Sequence, residues 1–339
     1  MRICICGGGN LGHVCVGFLA NRGHHVSILT TKPERWSQTI EIVAPDGSFE
    51  GKLAQVSSQP EEMIPQAEIV LVCLPGFAIH DELTKIKPYL SKTCLVGTVV
   101  SSTGFFFEAF EVLPTDIALF GFQRVPFISR IIEYGRKAEL KGYKNSLHVA
   151  IEQSKDKESL RLILEQLFEK PVTLANSYYE VSLSNSNPIL HPSRLYSMWK
   201  NWQPGIVYPN NPQFYAEWTL EASNLLLQMD DELQQLLIVM GIKYGCIPPV
   251  LEYYESTDAN SLTQKLRSIK AFQNIASPMK AVDGGYVPDF SSRYFTEDFP
   301  FGMRFIVETA KKYHHRIPVI EKIYQWGISQ MGYNASSLI

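Results

Sequence analysis

The stretch that decides the fold is "ICICGGGNLGHVCVGFL", residues 3–19. It reads as a short apolar strand, then a glycine-rich turn, then a helix. Its glycines follow a G-x-G-x-x-G pattern, in which Gly7 suits a tight turn, Gly9 lets a pyrophosphate approach the backbone, and Gly12 lets the helix pack on the strand. Free N–H groups at the helix start favour an anion there. The stretch therefore predicts a dinucleotide site formed by Gly7, Gly9, Asn10, Leu11 and Gly12.

Strands and helices alternate over the first half of the chain. "AEIVLVCLP" and "TCLVGTVV" are apolar throughout, as expected for parallel strands that are covered on both faces, and "TIEIVAPDGSFEG" predicts a hairpin that turns at Asp46–Gly47. After about residue 175 the apolar residues take helical spacing, and one long helix is predicted from about 213 to 241. We predict an α/β fold: a Rossmann-type, doubly wound sheet in residues 1–175, followed by an all-α substrate and catalytic domain in residues 176–339.

The segment around the end of the second predicted strand indicates which coenzyme is bound. Sites that prefer NAD usually place an acidic residue there, which binds the 2′-hydroxyl of the ribose. Here "ILTTKPERW" supplies two hydroxyls and two cations that suit a 2′-phosphate, from Thr30, Thr31, Lys32 and Arg35. We therefore favour NADP, with NAD as the alternative. Pro75, which closes the strand segment "IVLVCLP", is predicted to lie at the same coenzyme crevice.

Composition restricts the remaining partners. A net charge of -3 and a pI near 6.3 give no reason to expect nucleic acid or an anionic membrane surface, and no stretch has membrane-spanning length. The six cysteines lie mostly in apolar runs without metal-finger spacing, so we expect reduced thiols, a cytoplasmic protein and no metal site. The partners are then small molecules. The long helix is compatible with a homodimer contact or with burial inside its own domain.

A histidine stands out in "SNSNPILHPSRLY", residues 184–196. Asn187 suits a helix N-cap and Pro188 the first helical position, which would place His191 one turn on and Arg194 on the same face. Histidine handles protons well near neutral pH, and hydride transfer to a carbonyl or imine needs such a group. The alternative is a capped helix with an incidental histidine.

A second segment, "SSRYFTEDFPFGMRF" (residues 291–305), offers the histidine a partner. A carboxylate against an imidazole fixes the tautomer of the ring and favours its charged form. The segment carries such acids, although Thr296 or Asp298 could instead cap the helix that follows.

Taken together, these segments resemble the opine dehydrogenase family, the octopine/nopaline dehydrogenase-like enzymes of the 6-phosphogluconate dehydrogenase-like group. The resemblance runs over nearly the whole chain, through "GGGNLGHV", "FQRVPFISR", "NPILHP" and "RYFTEDFPFG". It implies reductive condensation of an amino acid with a 2-oxo acid such as pyruvate, using NADH or NADPH.

The resemblance also implies residue roles. The family's N-x-x-x-H segment falls on Asn187 and His191, and its aspartate five residues after an arginine falls on Asp298 after Arg293. His191 would then transfer the proton and Asp298 would orient it, with substrate bound by Asn187 and Arg293. Arg194 is a further substrate-binding candidate from its own chemistry. Guanidinium groups suit the carboxylates of both substrates, and Arg124 and Arg130 are further candidates. The catalytic histidine would face the nicotinamide at a cleft between the domains.

Two other functions remain open. A simple 2-oxo acid reductase similar to 2-dehydropantoate 2-reductase shares the two-domain plan but relies on a lysine. Lys265, Lys270 and Lys280 fall in no matching motif. A non-catalytic regulator that senses NADPH would need the glycine turn, but it would not need His191, Arg293 and Asp298 together.

Overall fold

The chain divides into two compact units, Met1–Ser184 and Asn185–Ile339. We describe both from a computed structural model, which describes residues 1–332. The division lies after residue 184 rather than after residue 175 because a short helix, Tyr178–Ser182, still packs against strands of the first unit. Among residues 1–332, every helix is too short or too polar to cross a membrane.

The first unit is a mixture of strands and helices. Its strands are β1 (Arg2–Cys6), β2 (His25–Leu29), β3 (Thr39–Ala44), β4 (Gly47–Lys52), β5 (Gln55–Ser57), β6 (Ile69–Val72), β7 (Leu95–Thr98), β8 (Ala118–Phe122), β9 (Phe127–Glu133), β10 (Lys137–Tyr143), β11 (Leu147–Glu152) and β12 (Val172–Leu174). Its helices are α1 (Asn10–Asn21), α2 (Gly76–Ile86), α3 (Phe105–Val112), α4 (Lys157–Phe168) and α5 (Tyr178–Ser182).

The main sheet has the predicted doubly wound topology. Its eight strands run in the order β12-β11-β8-β7-β6-β1-β2-β5, and all neighbours are parallel except β11 and β8. Every residue of β6 is buried, as its unbroken apolar run predicts. The chain builds outward from β1 in both directions, so the switch point lies between β1 and β6. In such sheets, ligands bind beyond the carboxyl ends of the strands at this point, where the glycine turn leaves β1.

A second sheet was not predicted. It has the order β4-β3-β10-β9 and packs on α1, which also contacts β1 and β2 of the main sheet. The β3–β4 pair is the predicted hairpin, but the sequence does not predict β9 and β10. Strand β9 exposes Ile128 and Ile132 and so lacks a clean alternation of apolar and polar residues, and β10 has charged residues at its outward positions. The sheet lies very close to the helix: a Cβ on Gly51 would come within 2.4 Å of the carbonyl oxygen of Gly17. Helix α1 is therefore held from both sides.

The second unit is helical with one small hairpin. Its helices are α6 (Asn187–Trp199), α7 (Leu220–Val239), α8 (Val250–Tyr253), α9 (Ala259–Ser268), α10 (Arg293–Thr296), α11 (Arg304–Lys312) and α12 (Pro318–Gln330), with a π-helical turn at Phe299–Met303. The prediction of a purely α domain needs one correction, because β13 (Met279–Val282) and β14 (Gly285–Pro288) pair antiparallel. Gly284, with φ of +81°, makes the turn between them.

Helix α7 is shorter than the predicted 213–241. The side chain of Thr219 caps it by accepting from the N–H of Ala222, so residues 213–218 are left in turns before the helix. Most of its large apolar side chains are buried against α6, α9 and α12, which explains the pattern without a second subunit. Ile238 and Val239 remain 63% and 50% exposed. A homodimer contact stays a prediction.

Candidate active site

The glycine turn has the geometry that a pyrophosphate needs. Gly7 has φ of +112°, a conformation that favours glycine, and a Cβ on Gly12 would come within 1.9 Å of the carbonyl oxygen of Gly7. Gly9 is different, because a Cβ there would meet no atom within 4 Å. Two of the glycines are thus required by the packing of the chain itself, whereas open space lies beside Gly9 at the start of α1. The turn fits a dinucleotide phosphate.

The hairpin of β9 and β10 supports this turn from behind. His13, on α1, is completely buried; its Nδ1 lies 2.9 Å from the carbonyl oxygen of Gly9, and its Nε2 accepts from the N–H of Gly135 at 2.7 Å. Nε2 must therefore be the bare nitrogen and Nδ1 must donate to Gly9. The side chain of Asn10 accepts from the N–H of Ile131 at 2.8 Å. Asn10, predicted to bind coenzyme, thus anchors the hairpin through its side chain.

A cavity of about 240 Å³ adjoins the turn in the first unit. Its lining residues are Gly7, Gly8, Leu29, Thr30, Thr31, Lys32, Leu74, Glu82, Lys85 and Tyr134. The predicted residues Thr30, Thr31 and Lys32 are brought together here. Arg35 lies over the Tyr134 ring at 4.4 Å, at the border of the same cavity. Sequence reasoning missed Lys85 and Tyr134 because they come from α2 and from the β9–β10 turn, which are distant in sequence.

The remaining candidates of the first unit lie elsewhere. Pro75 precedes α2 at its N-cap, and Leu11 packs against the core; neither lines this cavity. Arg124 donates to the carbonyl of Ser184 at 2.9 Å, and Arg130 donates to the carbonyl of Ser129. The ligand atoms of His80, Glu108 and Glu111 lie within 4.8 Å of one another, but His80 already shares a hydrogen bond with Glu108 at 2.8 Å.

In the second unit, His191 pairs with Asp298. The Nδ1 of His191 lies 2.7 Å from the Oδ2 of Asp298, and His191 is 8% exposed. Asp298 precedes the π-helical turn but makes no side-chain cap to it, so its carboxylate serves His191 rather than the helix. A second contact was not predicted: the Nε2 of His191 lies 2.7 Å from the hydroxyl of Tyr215. Both ring nitrogens are therefore engaged.

Local packing explains why the two motifs meet. A Cβ on Gly302, in the π-helical turn, would come within 2.7 Å of the Pro188 ring, so the absence of a side chain lets "DFPFG" lie against "NPILHP". Helix α6 begins at Asn187, with Ser186 at the N-cap, which corrects the prediction that Asn187 caps it. The helix continues through Pro192, and the fully buried Phe299 anchors the turn next to Asp298.

His191 and Asp298 face a cavity of about 500 Å³. Its lining residues are Asn187, His191, Tyr215, Ala271, Phe272, Ile275, Arg293, Tyr294, Glu297 and Asp298. Arg293 is exposed, and its guanidinium makes no hydrogen bond or ion pair with the residues that the structure describes. The predicted residues Asn187, His191, Arg293 and Asp298 are thus brought together around one cavity, with a guanidinium free to bind a carboxylate.

Arg194 is the predicted site residue that does not join them. It is 4% exposed, and its guanidinium donates to the carbonyls of Phe214 and Glu217 and to the hydroxyl of Thr219. Burial lowers the pKa of Arg194 to about 10. Arg194 is not among the described residues that line the cavity. The prediction that it contacts substrate is therefore corrected: Arg194 holds the segment that carries Tyr215 in place.

Sequence reasoning missed the aromatic side of the cavity. The helix predicted from about 213 to 241 includes Phe214, Tyr215 and Trp218. Their apolar spacing does not indicate that the Tyr215 hydroxyl reaches His191. The lysines of the competing reductase interpretation lie elsewhere: Lys265 pairs with Glu255 and Lys280 with Asp289, and among residues 1–332 no lysine lines this cavity.

Comparison with known proteins agrees with this arrangement. Residues 174–331 match the family described as NAD/NADP octopine/nopaline dehydrogenase, alpha-helical domain, and residues 3–104 match ketopantoate reductase PanE/ApbA. Octopine dehydrogenase of Pecten maximus is 28% identical over 98% of this chain and 90% of its own length.

Solved structures extend the similarity. Octopine dehydrogenase with NADH and L-arginine superposes with a TM-score of 0.83 at 28% identity, over 97% of this chain and 89% of that one. The structure with NADH and pyruvate gives a TM-score of 0.82 at 26% identity, with the same coverage.

Proposed function

The chain belongs to the opine dehydrogenase family of NAD(P)H-dependent oxidoreductases, and we propose from this premise that it joins the amino group of an amino acid to a 2-oxo acid. The product is an N-(carboxyalkyl)amino acid. The observation that carries the proposal is the 2.7 Å pair of His191 and Asp298 in one cavity with Arg293, whose guanidinium has no partner among residues 1–332. The similar structures that hold NADH with L-arginine or with pyruvate support the same substrate classes.

The proposed chemistry needs a proton to move twice before reduction. The ammonium group of the amino acid must lose a proton before its nitrogen can attack the oxo carbon. The hydroxyl of the resulting carbinolamine must then gain a proton and leave as water, which yields the protonated imine. Both transfers suit an imidazole, whose charged form the Asp298 carboxylate stabilises. When bound, the reduced dinucleotide supplies the hydride that converts the imine to the secondary amine.

Arg293 and Asn187 have binding roles in this proposal. The 2-oxo acid carries a carboxylate, and a guanidinium binds a carboxylate through two parallel hydrogen bonds in a fixed plane. Among the described residues that line the cavity, Arg293 is the arginine, and it lies five residues before Asp298 in the sequence. A carboxylate bound there would hold the adjacent oxo carbon near the proton-handling pair. Asn187, one turn before His191 on α6, offers an amide to the same substrate.

For the coenzyme we propose NADP over NAD. Lys32 and Lys85 both line the cavity beside the glycine turn, together with Thr30 and Thr31. The acid of this cavity, Glu82, lies on α2 rather than at the end of β2, and burial raises the pKa of its carboxyl. A 2′-phosphate in this cavity would meet two cations rather than an acid at the end of β2. The two lysines would bind such a phosphate.

The decisive experiment follows NADPH oxidation with a panel of 2-oxo acids, each with and without amino acids. The proposed reaction requires both substrates, and the product should retain the nitrogen of the amino acid. Oxidation that is equally fast with a 2-oxo acid alone would contradict the proposal and favour a simple reductase. Ion pairing of Lys265 and Lys280 away from the cavity argues against that alternative.

A further inference from the structure

Tyr215 occupies the nitrogen of His191 that the proposed reaction needs. An ionised carboxylate only accepts hydrogen bonds, so the Nδ1 that faces Asp298 must carry a hydrogen. In the neutral ring Nε2 is then bare, and the Tyr215 hydroxyl donates to it at 2.7 Å. A substrate therefore cannot reach Nε2 while this hydrogen bond is in place.

The packing holds the Tyr215 hydroxyl in this position. Its ring stacks on Phe272 at 4.2 Å with an interplanar angle of 21°, and it lies nearly parallel to Trp218 at 6.0 Å. The residue is only 5% exposed, yet it lines the substrate cavity. The neighbouring Phe214 carbonyl is fixed by the guanidinium of Arg194. Three contacts, made by Phe272, Trp218 and Arg194, thus hold the phenol with its hydroxyl at the Nε2 of His191.

The hydroxyl also keeps its proton. Burial raises the pKa of Tyr215, and the nearby Tyr294 and Asp298 raise it further. A phenol that stays protonated can donate its hydrogen to Nε2 while its oxygen accepts another from a group in the cavity.

We propose that Tyr215 is a catalytic residue which relays the proton between substrate and His191, so that the proton path runs from the cavity through Tyr215 to His191, with Asp298 at its end. The inference rests on the proposed function and adds a third member to the pair. In the first transfer, an ammonium N–H proton passes to the Tyr215 oxygen while the Tyr215 hydrogen passes to Nε2. The result is a free amine, a neutral tyrosine and an imidazolium held by the Asp298 carboxylate.

The second transfer reverses the first. The imidazolium Nε2–H returns its proton to the Tyr215 oxygen, and the phenol hydrogen passes to the hydroxyl of the carbinolamine. The C–O bond then breaks and water leaves. The carbinolamine nitrogen supplies the electron pair of the new C=N bond. His191 and Tyr215 end as they began, so the relay itself consumes no proton.

The test compares Tyr215→Phe with Tyr196→Phe. The first variant keeps the aromatic stack and removes the hydroxyl from Nε2; the second makes the same change on the helix that carries His191, outside the cavity lining. We expect Tyr215→Phe to lower kcat by about 10²-fold, in the usual range for proton-transfer catalysis. Its dissociation constant for NADPH and its melting temperature should match those of Tyr196→Phe. An unchanged kcat would contradict the relay, and a raised kcat would mean that the hydroxyl only blocks Nε2.

A measurement on the wild-type enzyme keeps the proposal testable if Tyr215→Phe folds poorly. The relay moves two hydrogens together. A plot of kcat against the fraction of D₂O in the solvent should therefore be curved, as expected when two exchangeable protons move in the same step. A straight line, with one proton, would overturn the relay. Should the wild type reduce a 2-oxo acid without any amine, the proposed condensation fails. The Tyr215→Phe comparison on that reduction still tests the relay, because the new hydroxyl also needs a proton.

Discussion

His191 and Asp298 are 107 positions apart in the chain, yet the Nδ1 of the histidine and the Oδ2 of the aspartate lie 2.7 Å from each other. Gly302 makes this possible, because a residue without a side chain lets the segment after Asp298 pack on Pro188. The pair is largely buried, with 11% and 13% of the two side chains exposed. In such surroundings a charge-assisted hydrogen bond is well screened from water and orients the ring.

The first prediction concerns Asp298. In Asp298→Asn the uncharged amide no longer stabilises an imidazolium and can select the wrong tautomer, so kcat should fall by about 10²- to 10⁴-fold. Steady-state kinetics at saturating substrates measure this loss, and fluorescence titration should give an unchanged dissociation constant for NADPH. A variant that keeps wild-type kcat would show that the carboxylate has only a structural role.

The second prediction concerns Arg293. Removing its charge in Arg293→Gln should raise KM for the 2-oxo acid about 10- to 100-fold, since a hydrogen bond to a charged group contributes about 1.5–3 kcal/mol. The matched control is Arg316→Gln, an exposed arginine of the same unit outside the cavity lining. Equal KM values in the two variants would exclude Arg293 as the carboxylate-binding group.

The third prediction concerns the coenzyme. Lys32→Glu should weaken NADPH binding by about 10- to 100-fold and change NADH binding little, because a carboxylate repels a 2′-phosphate but not a hydroxyl. Lys155→Glu, an exposed site of the same unit away from the cavity, should leave both dissociation constants as they are. If Lys32→Glu weakens the binding of NADPH and NADH equally, Lys32 does not distinguish the 2′-phosphate from the 2′-hydroxyl.

The fourth prediction concerns stability against pH. Burial lowers the pKa of His13 below its ordinary value of 6.5, so the unfolded chain binds this proton more readily than the folded chain does. The stability contributed by neutral His13 is therefore fully present above pH 6.5 and is lost as the pH falls below it. The melting temperature is measured between about pH 5 and pH 8. As the pH falls, it should decline less steeply in His13→Gln than in His25→Gln, a control variant at an exposed histidine. Parallel declines would show that His13 accepts a proton without cost to the fold.

The features that could be predicted are those that depend on neighbouring residues. Gly7 and Gly12 mark their turn because each meets a local steric demand, and the apolar run of β6 marks a strand that is covered on both faces. His191 and Asp298 were identified through a family resemblance together with the chemistry of an imidazole and a carboxylate. Their contact could not be derived from spacing alone.

The features that were missed depend on tertiary contacts. Arg194 shares a helix face with His191 by spacing, but its guanidinium turns to backbone carbonyls, and a sequence does not show where carbonyls will point. The apolar run predicts a helix that includes Tyr215, because a single capping residue, Thr219, is a weaker signal in the sequence than the run around it. Strand β10 has charged outward residues, and β9 lacks a clean alternation because Ile128 and Ile132 are exposed, so neither segment gives a clear strand signal by itself.

The β9–β10 hairpin bears on how the dinucleotide half of such a protein can be exchanged. Residues 3–104 match ketopantoate reductase PanE/ApbA, but the backbone N–H groups of Gly135 and Ile131, which lie beyond this match, hydrogen-bond to His13 and Asn10 beside the glycine turn. A chimaera that transplants only residues 1–104 into another scaffold would lose both hydrogen bonds and the Tyr134 ring beside the coenzyme cavity. A transferred segment therefore has to include residues 127–143, so that the glycine turn keeps its hydrogen-bonding partners Gly135 and Ile131.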